Sequence, residues 1–280
     1  MPPAKRVLVI EGGGMKAAYA NGVLSAFEEA GHTKWDAVYG TSAGGALAAW
    51  FAAGQAKHAE HTWTYAADRR ILSYRRFLRR RGPLLDHDAL LEIVYELEHP
   101  IDQAAIHRCP YPVYVTACRL KDGGTTYHDL RNGPVIPWLK ATGRLPLAAG
   151  RPVRIDGLDY LDGGINDPIP VRKAVEDGAT DVTVVVNWQD GVIRKDNRVL
   201  AAMIARRFPT LRNGLLRHAE IKEAAMAYAA DPPPGATVRV VRPTRSTGLH
   251  RLSRDLGAIR KTIAQGHADG QAHLDSLKAG

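Results

Sequence analysis

Five residues, Gly40-Thr41-Ser42-Ala43-Gly44, constrain this chain more than any other stretch of it. They read G-x-S-x-G. The apolar run Trp35 to Tyr39 leads in and the alanine-rich segment Ala46 to Ala53 leads out. Strand, sharp turn and helix together are the setting in which this pattern forms a nucleophile elbow. Small residues on both sides of the serine let the backbone take a turn that a Cβ would obstruct. Ser42 would then stand clear of a sheet edge at the positive end of a helix, a position that suits attack on an ester carbonyl. A pattern with three fixed letters also arises by chance, so the remaining chain must supply the partners such a serine needs.

A glycine loop lies one βα unit upstream. Arg6 to Ile10 is a short β-branched run, expected to be a buried strand. Glu11-Gly12-Gly13-Gly14-Met15-Lys16-Ala17 follows, and Ala17 to Ala30 has helical composition with Gly31 as its stop. Such a loop offers backbone N–H groups and a helix dipole to an anion. It lacks the Walker A spacing, but Gly12, Gly14 and Ala17 fit the dinucleotide fingerprint, which keeps a nucleotide-binding reading open. Its other use is an oxyanion hole of Gly12, Gly13 and Gly14, with the Gly13 and Gly14 amides as donors. Parallel strands would bring this loop to the sheet edge that carries Ser42.

The serine also needs a base. His218, His250, His267 and His273 lie late in the chain, and none occupies a glycine-marked loop after a strand; His218, among arginines, reads as a surface or packing residue. Asp162 does follow a strand-like run, in Leu161-Asp162-Gly163-Gly164, at the end of an expected hairpin that turns at Asp156-Gly157. It is therefore the candidate base. The same letters at Asp122-Gly123-Gly124 read only as a hairpin turn.

Taken together, the three stretches resemble the patatin-like phospholipases, which carry a G-G-G-x-[KR]-G loop, a G-x-S-x-G elbow and a D-G-[GA] turn in that order. Here these are Gly12 to Ala17, Gly40 to Gly44 and Asp162 to Gly164. The resemblance is clearest over residues 6–187 and weaker beyond, where it is most similar to a bacterial subgroup with a helical C-terminal region. It implies a three-layer α/β/α fold with a mainly parallel central sheet. It also implies a serine lipid acyl hydrolase with a Ser42–Asp162 dyad, supported by Lys16, Gly40, Gly44, Gly163 and Gly164, that passes through an acyl-serine and needs no metal or cofactor. Ala17 departs from the pattern, where the family has glycine; a helical backbone there would make the change harmless.

The 280 residues show no internal repeat or linker, so one domain over 1–280 is expected, with a motif-bearing core at 6–187 and a helical region at 198–280. With 45% hydrophobic and 24% charged residues the chain reads as globular. Two cysteines, Cys109 and Cys118, make no disulfide framework, and the N-terminus has no signal-like apolar run. A cytoplasmic setting is expected, and no run approaches the ~20 apolar residues of a spanning helix.

The net charge of +9 is concentrated in Arg69 to Arg81, which holds seven arginines with Ile71, Tyr74 and Leu78 at helical spacing. This stretch reads either as a basic amphipathic surface for an anionic membrane or phosphate-bearing substrate, or as a solvated helix face. A non-catalytic relative that binds lipid through it is the second alternative, and nucleic acid is not expected. Residues 43–80 read as helical with a break at Gly54, and Asp86 to Leu97 as one helix with Leu90, Ile93, Val94 and Leu97 on its buried stripe. Arg251 to Ala264 reads as a helix that ends near Gly266. His58, His61 and Asp86-His87-Asp88 are metal-ligating types, but no further ligand is marked by spacing.

Overall fold

The structure is a computed structural model that describes residues 4–191 and 198–279. Residues 1–3, part of the N-terminal reading above, residues 192–197 and residue 280, the end of the expected helical region, lie outside the described residues.

One sheet collects the eight described strands: β1 (Arg6–Ile10), β2 (Ala37–Thr41), β3 (Val113–Arg119), β4 (Thr125–Asp129), β5 (Val153–Ile155), β6 (Leu158–Asp162), β7 (Asp181–Val185) and β8 (Thr237–Val241). β3, β2, β1, β7 and β8 run parallel. β4 and β6 pair antiparallel with β3, and β5 with β6.

The helices are α1 (Ala18–Glu29), α2 (Ala43–Ala52), α3 (Glu60–Ala66), α4 (Tyr74–Leu78), α5 (His87–Leu91), α6 (Gln103–His107), α7 (Val135–Thr142), α8 (Val171–Glu176), α9 (Arg198–Arg207), α10 (Arg212–Leu216), α11 (His218–Ala230) and α12 (Leu256–Ala279). The central strands are apolar on both faces because helices cover both. Leu8, Ile10 and Val38 face a core with side chains of α1, α2, α7 and α12. Val7, Val9 and Tyr39 point the opposite way, toward Val171 and Ala174 of α8 and Ala229 of α11. The result is a three-layer α/β/α fold whose sheet is mainly parallel.

Strand β3 sets the geometry of the site. Its residues Tyr114 to Thr116 pair with both β2 and β4, and Ala117 and Cys118 pair with both β4 and β6. A strand has two edges, and β4 occupies one throughout. β2 and β6 therefore share the other, end to end. Thr41 sits opposite Thr116 and Asp162 opposite Ala117, so the two strands finish against each other.

Three sequence expectations need correction. Residues 43–80 are not near-continuous helix: α3 stops at Ala66, and Leu72 bridges to Leu85 before the five-residue α4. Arg76 staples this excursion by donating to the carbonyls of Arg70, Ile71 and Pro83. The segment after Asp86 begins as α5, with the Asp86 side chain accepting from Ala89 N, but Glu92–Glu98 winds as a π-helix. Its wider turn carries Leu97 off the buried stripe, to 67% exposure.

The last helix does not end at Gly266 but runs on to Ala279. Gly22 on α1 and Gly266 on α12 are contact points rather than stops. A Cβ on Gly22 would run into the Ile263 carbonyl, and one on Gly266 into the Tyr19 carbonyl.

Candidate active site

Ser42 is the N-cap of α2 and holds φ 56°, ψ −126°, a conformation that a residue with a side chain rarely takes. Close packing imposes the turn. A Cβ on Gly44 would lie 2.5 Å from the Ile10 carbonyl oxygen and 2.6 Å from that of Glu11, and one on Gly40 would meet the Gly44 carbonyl. The Ser42 amide donates to Thr142 Oγ1 over 2.9 Å.

Ser42 Oγ donates to Asp162 Oδ2 over 2.7 Å, while Gly164 N donates to Asp162 Oδ1 over 2.7 Å. Asp162 is 3% exposed. Burial raises its pKa from 3.8 to about 6, against the opposing pull of the Ser42 and Gly164 hydrogen bonds and the Arg251 charge. Gly163 packs so tightly on Thr116 that a side chain would strike its carbonyl. The hydrogen-bond acceptor of the Ser42 hydroxyl is a carboxylate, that of Asp162, and not an imidazole. Of the late histidines, His218 contacts Arg251, His267 pairs with Glu29 and His273 packs on Phe27.

The glycine loop reaches Ser42 from β1. A Cβ on Gly12 would stand 2.9 Å from the Thr41 carbonyl oxygen and 3.0 Å from Ser42 Cβ. The Gly12 amide already donates to Pro168 O over 3.2 Å. No acceptor among the described residues takes the Gly13 or Gly14 amide, and both residues line the cavity at Ser42. Gly14 has φ +54°, and a Cβ there would lie 2.6 Å from the Arg251 carbonyl oxygen. Lys16 lies in the short 3-10 turn that follows. Ala17 is buried with φ −68°, so the substitution for glycine leaves the backbone helical.

Several supporting residues carry no motif that a sequence pattern would find. Glu11 and Lys222, 1% and 3% exposed, form a buried ion pair. Glu11 also accepts from the Asn187 backbone N–H and from Trp188 Nε1, which ties the base of the glycine loop to the end of β7. After α7, the Arg144 carbonyl accepts the Asp162 amide over 3.0 Å, so the stretch that holds Ser42 through Thr142 also holds Asp162. Asp167 sits beside the site, its carboxylate accepting from Tyr127 and its pKa raised by burial to about 6. Met15 N donates to Arg251 O, which brings the C-terminal region onto the loop. A run of G-x-S-x-G reports none of these contacts, since each joins segments far apart in sequence.

Two cavities meet at Ser42. One, of about 90 Å³, is walled mainly by apolar side chains, among them Leu47, Trp63, Leu72, Leu90 and Leu139. His87 lies in the same wall, and burial lowers its pKa to about 3, so the ring is neutral. The other cavity, of about 330 Å³, is lined by Asp162 and the glycine loop together with Pro146, Ile204 and Leu215; His218, Lys222 and Arg251 also line it.

The arginine-rich stretch is not a single amphipathic face. Ile71 and Leu72 turn inward, and Leu72 reaches the narrow cavity. Tyr74, Phe77 and Leu78 face solvent. The metal-ligating types have other uses here: Asp86 caps α5, Asp88 pairs with Arg144, and His61 stacks on His99.

Comparison with known proteins adds the following. Residues 8–175 match the family model of the patatin-like phospholipases. An uncharacterised protein of Escherichia coli K12, YjjU, is 32% identical over 186 residues, which are 65% of this chain and 52% of that protein. The chain thus spans about half the length of that relative. The crystal structure of VipD from Legionella pneumophila superposes with a TM-score of 0.44 at 12% identity, covering 98% of this chain and 67% of that one. A likeness at that level carries nothing further.

Proposed function

The chain belongs to the patatin-like phospholipase family, and on that premise we propose that it is a carboxylic ester hydrolase of acyl lipids that works through an acyl-serine at Ser42. One observation carries the reading: the Ser42 hydroxyl donates over 2.7 Å to an aspartate that is 3% exposed. Asp162 takes the hydroxyl proton as Ser42 Oγ attacks the ester carbon. The Gly13 and Gly14 amides receive the oxyanion, and a single such donor is worth about 3 kcal/mol in other enzymes. The protonated Asp162 then returns the proton to the departing alcohol. Water attacks the acyl-serine with Asp162 again as base. A carboxylate with pKa about 6 is ionised at neutral pH yet accepts a proton more readily than one at 3.8. In this reading the narrow apolar cavity holds the acyl chain and the wider one the leaving alcohol.

Intact mass after fluorophosphonate treatment tests the dyad. Wild type is expected to gain one adduct, Ser42→Ala none, and Asp162→Asn an adduct formed far more slowly. A folded wild type that takes no adduct would sink the mechanism and favour a lipid-binding protein without activity.

Among the described residues no helix is long and apolar enough to cross a membrane. We propose a cytoplasmic protein that touches anionic membrane through α4. Phe77 is 41% and Leu78 79% exposed, and both lie among Arg75, Arg79, Arg80 and Arg81. Co-sedimentation with phosphatidylserine vesicles should fall when Phe77 and Leu78 are both changed to Ser.

A further inference from the structure

Among the described residues, buried side-chain nitrogens without a hydrogen-bond partner occur in Trp35, Trp50, His87, His128, Arg144 and His273. Of these residues only His87 lines a cavity that reaches Ser42. It is 8% exposed, and its Nδ1 makes no hydrogen bond. A neutral imidazole carries one N–H donor and one bare acceptor nitrogen. Burying such a group without partners costs free energy that an apolar side chain in the same wall would not.

The fold nevertheless makes room for the ring. A Cβ on Gly143 would lie 2.8 Å from His87 Cε1 and 2.9 Å from Nε2, so the glycine is what lets the imidazole sit there. Gly143 follows Thr142, whose Oγ1 accepts the Ser42 amide. His87 therefore belongs to the part of the narrow cavity near the nucleophile. The remote part lies along α2. Ala43, Ala46 and Leu47 line the cavity in turn, and Trp50, one helical turn further, packs on Tyr95 with ring centroids 4.9 Å apart. There the Tyr95 hydroxyl already has Thr62 Oγ1 within 3.4 Å. Arg144, Asp88 and Lys140 all act on His87, yet burial keeps its ring neutral. It thus offers hydrogen bonds without charge, which suits a hydroxyl rather than an anion.

We propose that His87 hydrogen-bonds a hydroxyl on the acyl chain close to its carboxyl end, so that the favoured acyl groups are 3-hydroxyacyl groups. This rests on the reading of Ser42 as nucleophile and of the narrow cavity as the acyl site, and it narrows the acyl half of the substrate. A hydroxyl both donates and accepts, so it satisfies either tautomer of the ring. It takes no part in bond making: the Ser42 Oγ–acyl bond forms and the ester C–O bond breaks as for an unsubstituted chain.

The test compares octanoyl, 3-hydroxyoctanoyl and 8-hydroxyoctanoyl esters of one alcohol. Wild type is expected to favour the 3-hydroxy ester over the plain one in kcat/KM by about three- to tenfold, the usual weight of a neutral hydrogen bond. His87→Leu should lose that preference, and His87→Gln, which keeps a donor and an acceptor, should retain part of it. A wild type without the preference would overturn the proposal and leave His87 to an ordered water. A preference that survives in His87→Leu would overturn it as well. So would a stronger preference for the 8-hydroxy ester, which would move the polar contact to Thr62 and Tyr95.

Nuclear magnetic resonance of Ser42→Ala with isotope-labelled histidine separates this from the hydrolase reading, because it needs no turnover. The His87 ring-nitrogen resonances, assigned by their absence in Ser42→Ala/His87→Gln, should shift on addition of methyl 3-hydroxyoctanoate and stay in place with methyl octanoate. Equal shifts with both esters, or none with either in folded Ser42→Ala, would refute the subsite whatever the outcome of fluorophosphonate labelling.

Discussion

Ser42 and Asp162 are 120 residues apart and share a 2.7 Å hydrogen bond because the strands that carry them end against each other on one edge of β3. The spacing of the pair is therefore a property of sheet register, not of two flexible loops. Thr116 Oγ1 donates to Thr41 Oγ1, and Thr41 Oγ1 donates to the Asp167 carbonyl, so the junction is tied from below as well. A one-residue slip of β6 on β3 would turn the Asp162 side chain to the opposite face of the sheet.

The first expected outcome is a pH profile with a single acidic limb. A base with pKa about 6 must be ionised to take the serine proton. The kcat/KM for a neutral ester should fall about tenfold per unit below that value and be level from about 7 upward. The rate of fluorophosphonate labelling should follow the same curve. A profile still level at pH 4.5 would mean that the aspartate is not the base.

The same shift has a consequence for stability with the opposite sign. The folded-state pKa lies above the unfolded value of 3.8, so the folded protein holds the Asp162 proton more tightly, and stability falls as pH rises from about 4 to 6. Above pH 6 the buried charge is a standing cost. Asp162→Asn should therefore be nearly inactive yet more stable than wild type by about 2 kcal/mol at pH 8, with the gap closing toward pH 4. Urea denaturation at the two pH values checks it.

The parts legible in the sequence are those where a local backbone demand selects a residue type. Gly44 must be small because two carbonyls crowd it, and Gly14 must be glycine because its φ is positive. Such needs leave a pattern within a few residues, and they locate the elbow, the loop and the acid turn. The hairpin at Asp156-Gly157 was legible for the same reason, with both residues at positive φ. Glu11–Lys222 and Ser42–Thr142 were not, because each is a long-range pairing of common residue types with no local mark. Gly266 misled for a related reason. A glycine at a helix end and one at a helix crossing look alike in sequence, and only the neighbour tells them apart.

That crossing gives a third expected outcome. Gly266→Ala would place its methyl group against the Tyr19 carbonyl, where backbone must move to admit it. Helix propensity favours the change by about 1 kcal/mol, whereas overpacking at a helix contact costs about 1–3 kcal/mol or more. The net effect should be destabilising, seen as a lower urea midpoint. Gly257→Ala, near the start of the same helix with only the Asp255 side chain near its Cβ, should be neutral or stabilising.

The fourth concerns the buried pair beneath the glycine loop. Glu11→Gln keeps an acceptor for Asn187 N or Trp188 Nε1 but removes the carboxylate that pairs with the Lys222 ammonium, which is 3% exposed. Removing one partner of such a pair costs about 3–5 kcal/mol, mostly as the desolvation of the charge left behind. Lys222→Met alone should cost a similar amount by stranding Glu11. The double variant should recover most of the loss, because neither charge then remains in the interior. Urea denaturation of the four proteins gives the coupling energy directly. Glu11 also precedes Gly12 and Gly13, so labelling of Ser42 should slow in Glu11→Gln even well below its unfolding midpoint. A double variant no more stable than the singles would show that the pair acts through its separate hydrogen bonds rather than through charge.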